Sequence, residues 1–258
     1  MFRKLKEIYN YRQMLESLVL TDLRTRYKGS FLGFFWTLLN PLLMLLVYSI
    51  VFKYVVRIDM ENYTAYLFIG LISWSLFSQA ITSGAGVIVR NAGLVKKIYF
   101  PKEILPLSII LGGVINYLFS LLILFPILFI HKINLGWPLL MLPLVLFIHM
   151  MFTLAMTLLI SSLNVFFRDL EHIMGVVIMA WFYLTPIVFT SSMIPEKIAF
   201  IFNLNPLKVI IESFHKVFFY NEMPDFISLG VVLLFSAVLL KISFFVFEKL
   251  SRNFAEEI

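Results

Sequence analysis

Ile104-Leu-Pro-Leu-Ser-Ile-Ile-Leu-Gly-Gly-Val-Ile-Asn-Tyr-Leu-Phe-Ser-Leu-Leu-Ile-Leu-Phe-Pro-Ile-Leu-Phe-Ile130 contains no charged side chain. It outruns the ~20 residues that cross a hydrocarbon core as a helix. Its apolar character is continuous, whereas an outer-membrane barrel strand would alternate with period two. Working outward, further charge-free runs occupy Phe31–Phe52, Asn62–Val89, Ile133–Phe167 and Ile173–Pro195. A last run, Phe226–Phe247, is broken only by Lys241, which lies near one end and can extend its ammonium to the interface. The expected fold is therefore all-α and membrane-integral, with six spans at about 31–54, 64–88, 105–130, 138–163, 172–193 and 226–247, all within a transmembrane domain over 31–258.

Composition agrees. Of 258 residues 61% are hydrophobic and 14% charged, against roughly half and a quarter in soluble domains. Cysteine is absent, which removes disulfides, thiolate metal sites and cysteine nucleophiles, and the four histidines show no ligand spacing. No metal is expected. The net charge of +6 fits cytoplasmic loops better than nucleic acid. Counted over alternate loops, Lys and Arg number fifteen on the side holding residues 1–30, Arg90–Lys102, Arg168 and the tail, against six on the other. By the positive-inside rule both termini face the cytoplasm. Phe31–Phe52 starts too late and runs too long for a signal peptide, so it is read as a permanent span.

Three segments are amphipathic instead. Residues 1–30 read as a cytoplasmic interfacial segment, with Leu15, Leu18, Val19, Leu23 and Tyr27 on one stripe of a helix over Tyr11–Lys28 and Leu20 out of place. Topological anchoring and a functional role fit that pattern equally. Leu94–Phe100, ended by Pro101, reads as a short cytoplasmic helix whose Leu94, Val95, Ile98, Tyr99 and Phe100, beside Lys96 and Lys97, need a protein partner or the membrane to cover them. Between Pro195 and Asp225, Ile198–Leu204 and Leu207–Phe219 flank Asn205-Pro206 and are too short to span. They fit half-helices dipping in as an outer gate, and equally helices resting on the lipid surface.

The spans lack chemistry of their own. None carries Asp, Glu, Lys or Arg near its middle, as ion-coupled transporters require; His149 is the one ionisable candidate, and a neutral hydrogen-bonding group is its simplest reading. Lys28-Gly29-Ser30 lacks the upstream glycine of a phosphate loop, and no catalytic carboxylate pair or zinc motif is present. An embedded glycosyltransferase or acyltransferase is disfavoured on that ground. Any energy that the chain's work requires is expected to come from elsewhere, a separate ATPase being the simplest supply.

Five strings then carry a resemblance. Asp22-Leu-Arg-Thr-Arg-Tyr-Lys-Gly-Ser-Phe-Leu-Gly33 with Trp36 and Asn40-Pro41, Leu94–Pro106, Asn164-Val-Phe-Phe-Arg-Asp169, Trp181-Phe-Tyr-Leu-Thr-Pro186 and Asn205-Pro206 resemble, in order, the landmarks of the ABC-2 type exporter permeases of the polysaccharide and polyol phosphate family. The resemblance implies a bacterial plasma-membrane homodimer that docks two cytosolic ATPase subunits and exports lipid-linked O-antigen, capsule or teichoic acid. ATP and Mg would bind the ATPase, and no cofactor this chain. ABC-2 permeases for drugs, haem or small lipids are the related alternative. Leu94–Phe100, Arg168 and Asp169 would contact the ATPase, and Asn205, Pro206 and Phe214 belong to the outer gate. A passage at the dimer seam has a physical reason, because one six-helix bundle leaves little room for a sugar. Aromatic side chains, 17% of the chain, offer sugars stacking faces. Trp36 and Asn40 share a stripe, as do Trp181 and Thr185, and with Tyr48, Trp74 and Tyr183 they are the expected path residues. Arg24, Arg26 and Lys28 stand where the phosphate of a lipid-linked substrate would arrive, although the positive-inside rule explains them as well.

Overall fold

The computed structural model describes residues 2–25 and 29–258, and among these every regular element is helical. Two short helices come first, α1 (Phe2–Asn10) and α2 (Arg12–Thr25), followed by α3 (Trp36–Ser49), which runs on as one π-helical stretch over Ile50–Val55. The centre is α4 (Tyr63–Ala85), followed by α5 (Val87–Arg90), α6 (Ala92–Lys97) and α7 (Ile104–Ile130). A 3-10 turn over Trp137–Met141 leads into α8 (Leu142–Asn164), and α9 (Leu170–Tyr183), α10 (Ala199–Asn203), α11 (Pro206–His215), α12 (Phe226–Leu250) and α13 (Phe254–Glu257) complete the chain.

Within its most apolar window α4 is 78% buried, against 11% for the span built on α3, so α4 is the hub and α3 an outer helix. Small residues explain the difference. Ala65, Gly70, Ser73, Ala80, Gly84 and Ala85 let neighbouring backbones approach α4, and such positions hold helices together in lipid where no hydrophobic drive remains. Around it pack α3, α7, α8, α9 and α11, with α12 on the far side of α8. Phe68, Phe77, Phe152, Phe214 and Phe218 are fully buried and fill the bundle axis.

Among the described residues, five helices are long and apolar enough to cross a membrane. The segment expected as the fifth of six spans differs: its helix, α9, has 14 residues, about 21 Å at 1.5 Å each, short of a ~30 Å hydrocarbon core. Pro186 explains the early stop, since it lacks an N–H and drives Thr185 out of helical geometry. The irregular continuation is nonetheless buried and tied to α4. Tyr63 donates to the Val188 carbonyl at 2.8 Å and Tyr66 to that of Phe189 at 3.1 Å.

Both chain ends gather beside α6. Ile8, Tyr11, Met14, Leu15 and Leu18 pack on a second apolar cluster that includes Val87, Ile88, Val95, Phe100, Phe247 and Phe254. Of the stripe expected of the N-terminal helix, Leu15 and Leu18 pack on this cluster and Val19 is buried, with Leu20 exposed, and the helix lies against protein, chiefly α7; Tyr27 lies outside the described residues. Tyr11 donates to the Tyr99 carbonyl at 3.2 Å, and Tyr99 in turn to the Glu7 carboxylate at 3.4 Å.

Candidate functional site

Three apolar helices converge on a polar cleft. Thr37, Asn40 and Pro41 of α3, Ser75, Leu76 and Gln79 of α4, and Gly113, Asn116, Tyr117 and Ser120 of α7 surround a cavity of about 260 Å³. The spacings each mark one helical face: i, i+3, i+4 on α3, i, i+1, i+4 on α4 and i, i+3, i+4, i+7 on α7. The Ser75 and Ser120 hydroxyls donate within their own helices, to the carbonyls of Ile72 at 2.8 Å and Asn116 at 2.9 Å. By contrast Thr37 Oγ1 and Asn116 Oδ1 are buried with no hydrogen-bond partner among the described residues. Pro41 also has no N–H to give the Thr37 carbonyl one turn earlier. Polar groups left unmet at membrane depth are costly unless something else meets them, so the cleft suits a ligand bearing hydroxyl groups or water.

The structure sorts the other expected path residues. Asn40 is exposed and lines the cleft; Trp36, one turn before it, donates from its indole N–H to the Ser30 hydroxyl at 2.8 Å. Tyr48 is half-buried against Phe182, ring centroids 5.6 Å apart, and Tyr183 is exposed. Trp74 is buried, packed edge-on to Phe182 at 5.7 Å.

Trp181 and Thr185 are tied up internally. The Trp181 indole donates to Asn205 Oδ1, while Asn205 Nδ2 donates to the Leu184 carbonyl and to Thr185 Oγ1, each at 2.9 Å. The same Asn205 oxygen caps α11 by accepting from the Leu207 N–H at 3.0 Å. The reason is local: where α9 stops, its last carbonyls lose their helical donors and must find others. Asn205-Pro206 is accordingly a buried turn that joins α9 to α11. Phe214 is fully buried on the stripe Leu207, Ile210, Ile211 and Phe214, against Tyr117 and His149 at 5.8 Å each, so it is a core residue.

At the end holding both termini, the expected helix over Leu94–Phe100 is α6, with Ile98–Phe100 extended after it. One expectation is corrected: Val95 and Phe100 are buried in the second cluster and Leu94 packs against it, because the short helix packs on α5 and α13. Lys96, Lys97, Ile98 and Tyr99 remain exposed, Tyr99 by 82%. Arg168 and Asp169 are exposed just before α9, next to the exposed Phe167 in sequence. Lys102 donates to the Ser251 carbonyl and lies 5.4 Å over the Phe254 ring; burial pushes its ammonium below the usual lysine range against the opposing pull of Glu103. Arg24 is exposed in the last turn of α2, whereas Arg26 and Lys28 lie outside the described residues.

Sequence reading missed two features. One is the cleft beyond Asn40, whose signal was the stripe Gly113, Asn116, Tyr117 and Ser120 in an otherwise apolar helix. The other is Glu171, which pairs with Arg90 at 3.1 Å and donates its backbone N–H to Asn164 Oδ1 at 3.0 Å.

Comparison with known proteins agrees with this architecture. The O-antigen export system permease protein RfbA of Myxococcus xanthus is 36% identical over 264 residues, with all of both chains covered. That of Klebsiella pneumoniae is 34% identical over 257 residues, 98% of each chain. More distantly, the polysialic acid transport protein KpsM of Escherichia coli is 24% identical over 248 residues, 90% of each chain. The family described as ABC-2 type transporter matches residues 14–219. A multi-pass helical bundle without charge at mid-span, matched along most of its length by that family, belongs to the ABC-2 type transporters.

Proposed function

We propose that this chain is the membrane permease subunit of an ATP-driven exporter that carries a lipid-linked polysaccharide, of the O-antigen, capsule or teichoic acid class, from the cytoplasmic to the outer side. The observation that carries this reading is end-to-end similarity to O-antigen export permeases of two bacteria. In this reading α9 and the buried segment after it complete a sixth crossing, α10 and α11 form a hairpin dipping in from outside, and both termini are cytoplasmic. The Lys and Arg excess at the terminal end supports that orientation. The chain performs no catalysis; hydrolysis belongs to two copies of a cytosolic ATPase that binds ATP and Mg.

Two copies of the permease assemble around a passage. The filled bundle axis supports this, since Phe68, Phe77 and Phe152 leave a sugar no way through one copy. An outer face is the remaining route, and the cleft between α3, α4 and α7 offers it polar contacts. Exposed Lys96, Lys97, Ile98 and Tyr99 form the ATPase contact, with Arg168 and Asp169 as a second patch.

The test is co-reconstitution of permease and ATPase in vesicles with lipid-linked glycan. ATP-dependent glycan transfer that stops when Lys96→Glu and Lys97→Glu are introduced together is the expected result. Transfer by the permease alone, or labelling of Lys96 from outside intact cells, would sink the proposal.

A further inference from the structure

At the end of the bundle opposite the termini, three turns enclose a cup of about 490 Å³, within the range of small-ligand sites. The loop before α4 contributes Glu61 and Asn62, the loop after α7 Lys132 and Asn134, and the π-helical end of α11 Tyr220 and Asn221. Three of these residues hold left-handed backbone: Asn62 at φ 56°, Lys132 at 53° and Asn221 at 54°. Such geometry is uncommon outside glycine and costs energy, most plainly for a lysine, so the surrounding fold must enforce it.

The lining is locked from behind. Asn62 Oδ1 lies 2.9 Å from His131 Nδ1. Asn221 lies over Gly136 so closely that a Cβ there would stand 2.6 Å from its side-chain oxygen, which is why glycine occupies that position. Tyr220 meets Phe219 edge-on at 5.0 Å, and Phe219 meets Tyr66 of α4 edge-on at 5.6 Å, so the exposed tyrosine ring is fixed in place.

We infer that this cup binds a neutral glycan segment, the ring of Tyr220 stacking on a sugar face while Asn62, Asn134 and Asn221 bond its hydroxyls. A side-chain amide both donates and accepts, as a sugar hydroxyl does, and three amides around one aromatic ring suit that chemistry. Glu61 and Lys132 cancel in charge, so the cup has no formal bias toward a polyanion. The inference rests on the export reading, which supplies a polysaccharide on that side of the membrane. The cup holds the emerging chain and disfavours its return.

The probe is oligosaccharide released by mild acid from the surface polysaccharide of the cells that make this protein, titrated into the full chain in nanodiscs. Loss of about one hydrogen bond or one stacking contact predicts roughly five-fold or weaker binding in Asn134→Ala and in Tyr220→Ala. Tyr220→Phe, which keeps the ring, should stay within about two-fold of wild type. Asn134 is an exposed loop residue, so its variant decides the matter if Tyr220→Ala fails to fold. Export is measured separately, in vesicles with the ATPase. Absence of binding in wild type that still exports, or equal binding in all variants, overturns the glycan cup and leaves the export reading intact. Cup-dependent binding without ATP-driven export keeps the cup and removes the export reading.

Discussion

Arg90 Nη1 donates to Glu171 Oε1 at 3.1 Å, joining α5 to the first turn of α9 across the end of the bundle where the termini gather. Arg90 also donates to the Ser83 carbonyl, closing the end of α4. Gly86 makes room for both partners, since a Cβ there would lie 2.4 Å from Glu171 Oε2 and 2.6 Å from Arg90 Nη1. The pair is nearly half exposed, so its loss costs little.

Glu171→Gln should therefore lower stability by less than ~1 kcal/mol in thermal unfolding of detergent-purified protein. Gly86→Ala should dislodge the pair, and the two substitutions together should cost less than the sum of each alone. Simple additivity would show that Gly86 does not serve the Arg90–Glu171 contact.

Asn205 makes a different kind of link. It is buried and holds together the Trp181 indole, the Leu184 carbonyl, Thr185 and the α11 N-terminus. Asn205→Ala strands several of these groups at once and should cost about 2–4 kcal/mol, with a shift in Trp181 fluorescence. Asn205→Asp retains both accepted bonds but cannot donate to the Leu184 carbonyl or to Thr185, and should also be less stable than wild type. A variant as stable as wild type would exclude the network as a structural tie.

In the cleft, Thr37→Val removes a hydroxyl that has no partner among the described residues. Its stability should match or exceed wild type. If substrate hydroxyls use the cleft, ATP-driven export should nonetheless fall about five-fold, and likewise in Asn40→Ala. Export at the wild-type rate with normal membrane insertion would remove the cleft from the path.

Asp225 caps α12. It accepts from the Ser228 hydroxyl at 2.6 Å and the Ile227 N–H at 3.1 Å. The Ser228 bond above all holds its carboxyl below the usual carboxylate range, with the backbone N–H groups adding to it. A depressed folded pKa means that the stabilisation is complete above the ordinary carboxylate pKa of ~4 and is lost as pH falls through the folded value. The unfolding midpoint should thus drop below about pH 4, and Asp225→Asn should flatten that part of the profile. Identical acid profiles would show that the cap does not contribute.

Much of the architecture was legible without coordinates because membrane spans are written in one dimension. Ile104–Ile130 and Phe226–Leu250 announce themselves by length and lack of charge, and lipid leaves the backbone no alternative to a helix or a closed barrel. The stripe Leu207, Ile210, Ile211 and Phe214 was equally visible by its spacing. What it faces was not, because a hydrophobic stripe looks the same whether it meets lipid, a partner or the chain's own core. Val95 and Phe100 are expected from their spacing to need a partner to cover them, and they lie inward against the chain's own second cluster for that reason.

Sequence alone determined that this chain crosses a membrane as helices and that the apolar pieces on either side of Asn205-Pro206 are too short to do so, since both follow from local hydropathy and length. Tertiary structure decided that α9 stops at Tyr183, that Asn205 is a tie, that Glu171 has a cation, and that polar stripes of three helices meet in one cleft. Those outcomes depend on which helix faces are brought together across long stretches of chain, and periodicity records a face without naming its neighbour.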